Sequence, residues 1–241
     1  MLKHKYNVDS TIQRYKARLV ARGFEQEYGI DYNETFASVV RYTTFRLLAS
    51  LAAAKDLEME QIDIETAFLI LKLKEDVYME VPRFLERIEK PLRSRKPAYL
   101  KLRKSLYGLK QALREWFEEV SKYFKDLGFK PSTSDPNLFV RDRVYILLFI
   151  DDMLIVGGKS KVDDIKAQIS KKWRSKDLGP AKVFVGFQIE RNRPERAIKI
   201  HQELYTTKLL EKLQMLNSAP VATPIAPNTV LKAKDDSEDE L

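Results

Sequence analysis

The stretch Val144-Tyr145-Ile146-Leu147-Leu148-Phe149-Ile150-Asp151-Asp152-Met153-Leu154-Ile155-Val156-Gly157-Gly158 places two aspartates in the middle of the most hydrophobic run of the chain. Apolar segments of strand length flank the acidic pair, the pattern of a buried β-hairpin with carboxylates at its tip. Adjacent carboxylates repel each other and lose hydration beside a core, a cost that a divalent cation would offset. The alternative is a solvated turn, since Asp is frequent in turns. The remainder of the sequence decides between the two.

Another carboxylate expected near the core is Asp63, in Gln61-Ile62-Asp63-Ile64-Glu65. Alternation points Ile62 and Ile64 one way and Asp63 the other, with Phe68 shortly beyond. A strand-end Asp together with a hairpin-tip pair suits two metal ions, which activate one oxygen and steady a leaving one in phosphoryl transfer. Spacing alone does not make the three converge. The rival pair, Asp163-Asp164, is expected at the start of a helix, where acids serve the dipole. The chain has no cysteine and only His4 and His201, so thiolate and multi-histidine metal sites are excluded. Oxygen ligands point to Mg²⁺ or Mn²⁺. A Walker-type loop, a Gly-x-Ser-x-Gly elbow and a His-Glu-x-x-His motif are all missing.

The 241 residues allow one large domain or two small ones, and a hydrophobic content of 44% can build a core. Arg83 to Arg114 carries eleven Lys or Arg against Glu86 and Glu89, a local excess beyond the +8 of the whole chain. Phe84, Tyr99 and Tyr107 lie among these bases, as expected of a surface that meets a polyanion such as nucleic acid. A solvated loop is the plain alternative. The other end is acidic, Asp235-Asp236-Ser237-Glu238-Asp239-Glu240, after Pro220, Pro224 and Pro227, and reads as a disordered tail. No apolar run reaches membrane-span length and no signal peptide precedes Lys3-His4-Lys5, so a soluble, intracellular chain is expected.

Periodicity predicts a strand over 14–21, a helix capped by Thr43 or Thr44 with its body over 45–54, and strands over 57–64 and 77–81. The clearest helix runs from Gln111 to Leu127. Leu113, Trp116, Phe117, Val120, Tyr123, Phe124 and Leu127 form one core-facing stripe, and Gly128 supplies the left-handed end. A helix over 162–173, a strand over 183–190, a hairpin through 192–195, a strand over 197–200 and a helix over 204–216 follow. Helices and hairpins mix without βαβ alternation, which argues for an α+β fold.

Several blocks, in order, carry a resemblance. They are Tyr15-Lys16-Ala17-Arg18-Leu19-Val20-Ala21-Arg22-Gly23-Phe24, Gly29-Ile30-Asp31-Tyr32 with Glu34-Thr35-Phe36, and Gln61 to Leu69. Val77-Tyr78-Met79, Ser105-Leu106-Tyr107-Gly108-Leu109-Lys110-Gln111-Ala112 and Phe149-Ile150-Asp151-Asp152-Met153-Leu154 come next. Lys176-Asp177-Leu178-Gly179, Val185-Gly186 and Gln202 with Tyr205 complete the set. The chain resembles the reverse transcriptase domain of Ty1/copia-type retrotransposon Pol polyproteins.

That resemblance implies a right-hand polymerase palm and fingers over 1–217, an antiparallel sheet with helices packed on one face, and a Pro-containing acidic tail over 218–241. It implies that Asp63, Asp151 and Asp152 hold two Mg²⁺ ions, with Mn²⁺ as a substitute, that join a primer 3′-hydroxyl to the α-phosphate of a dNTP. Phe68 matches an aromatic gate against the ribose 2′-hydroxyl. Lys16 and Arg18 match a fingers segment that contacts the triphosphate, with the choice between them open. Tyr107, Gly108, Lys110 and Gln111 match a motif beside nucleotide and template. Lys176 resembles a lysine that protonates pyrophosphate, and Phe184, Val185 and Gly186 resemble a primer grip. RNA template, DNA primer, dNTPs and the RNase H and integrase parts of Pol are the implied partners, in cytoplasmic virus-like particles and the nucleus.

Two departures stand out. Ile70-Leu71 replaces an Asn-Gly turn, and two exposed apolar residues there are expected to let the next strand slip. Leu113 replaces a proline at the start of a helix. The family domain begins upstream of Met1, so a truncated element copy is expected. The competing readings are a non-catalytic nucleic-acid-binding remnant that keeps the basic stripe, and an unfolded product.

Overall fold

The computed structural model describes residues 2–6, 12–82 and 99–222, with positions 225 and 229. The first half of the basic stripe (83–98) and the acidic run at 235–240 lie outside the described residues. Chain order runs β1 (Leu2–Tyr6), β2 (Ile12–Ala17), α1 (Tyr42–Lys55), β3 (Glu58–Ile64), β4 (Tyr78–Glu80), β5 (Tyr99–Lys101), α2 (Ala112–Asp126), β6 (Lys130–Pro131) and β7 (Leu138–Arg141). It continues with β8 (Val144–Phe149), β9 (Asp152–Gly157), α3 (Lys159–Lys172), β10 (Ser175–Pro180), β11 (Val183–Phe184), β12 (Phe187–Asn192), β13 (Ala197–His201) and α4 (Glu203–Lys212). Two compact units divide at Ile200 and His201, the second containing α4.

The α+β reading holds, but helices cover both faces of the sheet rather than one, because the strands carry apolar side chains on both sides. The main sheet is antiparallel, in the order β10-β3-β9-β8-β7-β6. On one face Ile62, Ile64, Ile146, Leu148, Met153 and Ile155 meet Trp116, Val120 and Phe124 of α2 and Val162, Ile165 and Ile169 of α3. On the opposite face Met59, Leu147, Leu154 and Val156 meet Phe45, Leu48, Ala49 and Ala52 of α1, with Phe184 and Ile189 from the small sheet β11-β12-β13. Both faces of β8 and β9 are therefore dry, which is why their sequences are continuously apolar rather than alternating. Each such side chain removed from water contributes roughly 1.5–3 kcal/mol.

The α2 stripe packs as its spacing requires. Trp116, Val120 and Phe124 are fully buried, and Gly128 (φ 84°) ends the helix while the Phe129 N–H bonds the Phe124 carbonyl at 2.9 Å.

The α1 start is different from the local cap expected at Thr43 or Thr44. The Asp135 carboxylate, buried in a distant loop, accepts the Arg41 N–H at 3.1 Å and the Thr44 hydroxyl at 2.6 Å. Asp163 and Asp164 do not open a helix. Extended backbone at Gly158 lets α3 begin at Lys159, and Asp163 instead pairs with Lys159 one turn back. The strand expected over 183–190 is two strands, because Val185 and Gly186 both take positive φ (49° and 79°) and reverse the chain between Phe184 and Phe187.

Leu71 is not the exposed residue expected at the altered turn. It lies in the core at 8% exposure, and its carbonyl accepts the Ser105 N–H at 2.9 Å. That contact anchors the segment leading into β4, so the loss of Asn-Gly is absorbed by packing.

Candidate active site

Sheet register gathers the acidic residues. Asp63 stands opposite Asp152 across β3 and β9, and Lys176 stands opposite Asp63 across β10 and β3. Directly opposed residues share a face, so Lys176, Asp63 and Asp152 form one row across three strands. Asp151 occupies the two-residue loop beside that row, and its carbonyl accepts the Ile64 N–H at 2.9 Å. Ile150, the other loop residue, has φ 57°, a strained conformation for a β-branched side chain. The strain is held from beneath: the buried Trp116 indole N–H donates to the Ile150 carbonyl at 2.6 Å.

The carboxylates sense one another. Burial pushes the Asp152 carboxyl up to about 6; the Gln61 amide, 3.2 Å away, opposes the shift, and the charges of Asp63 and Asp151 add to it. Gln61 is itself buried. Among the described residues no group of three or more His, Asp or Glu side chains closes into a set that could hold a metal ion alone. The donor set still suits a hard cation. Mg²⁺ is commonly held by one or two carboxylates, with substrate phosphates completing its shell.

An aromatic and basic wall lies near the row. The rings of Phe68 and Tyr107 meet edge to face, 5.1 Å between centroids, and the Arg18 guanidinium lies 4.8 Å from the Tyr107 centroid. Burial raises the Tyr107 phenol above its usual range; Asp151 and Asp63 raise it further and Arg18 opposes them. The wall thus borders the acidic row. Of the two basic candidates, Arg18 contacts Tyr107, and Lys16 lies within β2.

The 18–23 segment and the 105–111 loop are locked together. The Ala21 N–H bonds the Tyr107 carbonyl at 2.8 Å. A side chain on Gly108 (φ 95°) would overlap the Ala21 carbonyl, and one on Gly23 would overlap the Gly108 carbonyl. Lys110 and Gln111 face inward. The Lys110 backbone N–H donates to the Gln26 side chain at 2.8 Å, and its ammonium reaches the Gln26 carbonyl and the Tyr32 hydroxyl. Gln111, 2% exposed, donates to the Asp31 carbonyl and accepts from Gln26. Gln26, a fastener of this joint, gave no sequence signal.

At the proposed primer grip, Val185 and Gly186 form the tight turn between β11 and β12. Phe184 is a core residue, its ring 5.6 Å from Phe45 and 6.4 Å from Phe149, the strand partner of Asp152.

Residues 1–227 match the family model for reverse transcriptase (RNA-dependent DNA polymerase). The chain belongs to the reverse transcriptase family. Relatives of this reverse transcriptase segment include the retrovirus-related Pol polyprotein from transposon TNT 1-94 of Nicotiana tabacum, 42% identical over 97% of this chain and 18% of that protein. The transposon Ty1-DR1 Gag-Pol polyprotein of Saccharomyces cerevisiae is 30% identical over 83% of this chain and 12% of that one. The chain therefore spans less than a fifth of the length of the curated relatives it matches. Among solved structures, telomerase from Candida albicans in complex with a telomeric RNA fragment aligns over 76% of this chain and 40% of that one, at 14% identity and a TM-score of 0.39. Among the described residues, no helix is long and apolar enough to cross a membrane.

Proposed function

We propose that this reverse transcriptase segment carries out RNA-directed DNA synthesis as the polymerising part of a Ty1/copia-type Pol polyprotein. The observation that supports it is the row of Lys176, Asp63 and Asp152, with Asp151 at the hairpin tip, near a wall of Phe68, Tyr107 and Arg18. Asp63, Asp151 and Asp152 are the residues that would hold divalent cations, Mg²⁺ or Mn²⁺, which when bound favour the ionised primer oxygen and the leaving phosphate.

The primer 3′-oxygen forms a bond to the α-phosphorus as the bond from that phosphorus to the bridging oxygen breaks. The 3′-hydroxyl proton leaves to solvent, and pyrophosphate departs with a proton from Lys176. Arg18 places positive charge beside the triphosphate, and the Phe68 ring closes the space that a ribose 2′-hydroxyl would need. An RNA template, a DNA primer and dNTPs are the substrates, with the remaining Pol segments as partners.

The test is primer extension on a homopolymer RNA with Mg²⁺, beside Asp151→Asn. Extension that falls at least about a hundredfold in the variant supports the reading, as loss of transition-state charge stabilisation requires. A parent that binds primed template with steep salt dependence yet adds no nucleotide would overturn it in favour of a binding remnant.

A further inference from the structure

On the face of the sheet opposite the acidic row, Lys166 of α3 is buried at 8% exposure. Its ammonium contacts the Glu60 carboxylate of β3, itself 5% exposed, and the Asp177 carboxylate of β10 at 2.6 Å. Lys159 reaches the other Glu60 oxygen at 3.2 Å. One cation thus spans β3 and β10, the strands that carry Asp63 and Lys176.

The contact falls where the pairing is irregular. Asp177 opposes Ile62 and Gly179 opposes Gln61, so Leu178 is an extra residue. The Asp177 carboxylate organises this bulge by accepting the Gly179 N–H at 2.8 Å while its second oxygen meets Lys166. β10 is an edge strand. A slip of one residue there would turn Lys176 to the far face, away from Asp63.

We propose that Lys166 and Asp177 are positioning residues for nucleotide addition. They staple β10 to β3 from beneath and hold Lys176 at the register that faces Asp63. This rests on the polymerase reading, since it gives the staple a role only through Lys176. Without the staple, the Lys176 ammonium is presented less often to the leaving pyrophosphate, so turnover falls while dNTP binding by the wall is spared.

Asp177→Asn tests the staple with little risk to folding, because the side chain is 55% exposed and an amide oxygen can still accept from Gly179. Single-nucleotide addition is measured for the parent, Asp177→Asn, Lys176→Gln and the double variant, with melting temperatures alongside. The expected result is a kcat roughly tenfold lower for Asp177→Asn with KM for dNTP unchanged, as a small misplacement of a reacting group produces. In the Lys176→Gln background the same change has no further effect. Lys166→Met repeats the pattern with a larger loss of stability, since it leaves Glu60 buried with one fewer partner. Equal losses in both backgrounds, or an unchanged kcat for Asp177→Asn, would overturn the proposal while leaving the polymerase reading intact. A parent without any extension refutes that reading and the staple's catalytic role with it.

Discussion

The indole of Trp116 donates its N–H to the carbonyl of Ile150 at 2.6 Å, from near the start of α2 to the strained residue that precedes Asp151. A helix residue that reads as plain core packing therefore also holds the tip of the acidic hairpin. Trp116→Phe keeps most of the aromatic contact with Trp173 but removes the donor. The expected cost is about 0.5–1.5 kcal/mol, the net worth of one hydrogen bond whose acceptor can turn to water. Urea unfolding measures that loss, and primer extension is expected to fall with it because the loop is no longer clamped.

The interlock of Gly23 and Gly108 makes a sharper prediction. Gly108→Ala places a methyl group against the Ala21 carbonyl at φ 95°. Overlap and backbone strain together are expected to cost at least about 3 kcal/mol. Gly29→Ala, at φ 81° with open space around it, carries only the backbone penalty and is expected to cost about 1 kcal/mol. Comparing the two variants by thermal melting separates steric overlap from strain.

Asp135 serves α1 from far along the sequence, and the Asn137 N–H also bonds it at 3.1 Å. Asp135→Ala leaves the Arg41 N–H and the Thr44 hydroxyl without their acceptor. A loss of roughly 2–4 kcal/mol is expected, a helix cap plus buried polar groups left unpaired. Asp135→Asn, which keeps one acceptor oxygen, is expected to lose clearly less in the same denaturation experiment.

Glu115 sets a pH dependence. Burial pushes its carboxyl up to about 7 from an ordinary value near 4.5; the Glu75 charge adds to the shift, Lys74 opposes it and Glu118 adds a little more. A folded-state pKa above the unfolded one favours the protonated fold. This contribution is complete below about 4.5 and is lost as pH rises through about 7. Stability is expected to fall across that window with a slope of at most about 1.4 kcal/mol per pH unit from this one proton. Glu115→Gln is expected to flatten the slope and to raise the melting temperature at pH 8; an unchanged slope would mean that the proton is held elsewhere.

Phe68 and Tyr107 support each other edge to face beside the acidic row. Under the proposed gate role, Phe68→Ala is expected to raise ribonucleotide incorporation relative to deoxyribonucleotide by about tenfold or more, the effect of removing a steric filter rather than a hydrogen bond. Competing rNTP and dNTP in single-nucleotide addition measures the ratio.

The sequence by itself determined the hairpin of β8 and β9, because two apolar runs around an acidic pair allow little else. It determined the aromatic face of α2 through helical spacing, and Asp63 with its flanking isoleucines through alternation. Ordered motif blocks pointed to the family, and the family match agrees. Tertiary structure alone decided what depends on register and on partners distant in sequence. The opposition of Lys176 and Asp63 follows from strand pairing that no local pattern encodes. The bonds of Lys110 and Gln111 to Gln26, Tyr32 and Asp31 join segments far apart in sequence and have no local signal. Leu71, which breaks a turn motif in the sequence, is buried by the fold. Local periodicity records which face a residue presents, whereas hydrogen bonds and ion pairs between remote segments form only once those faces have packed.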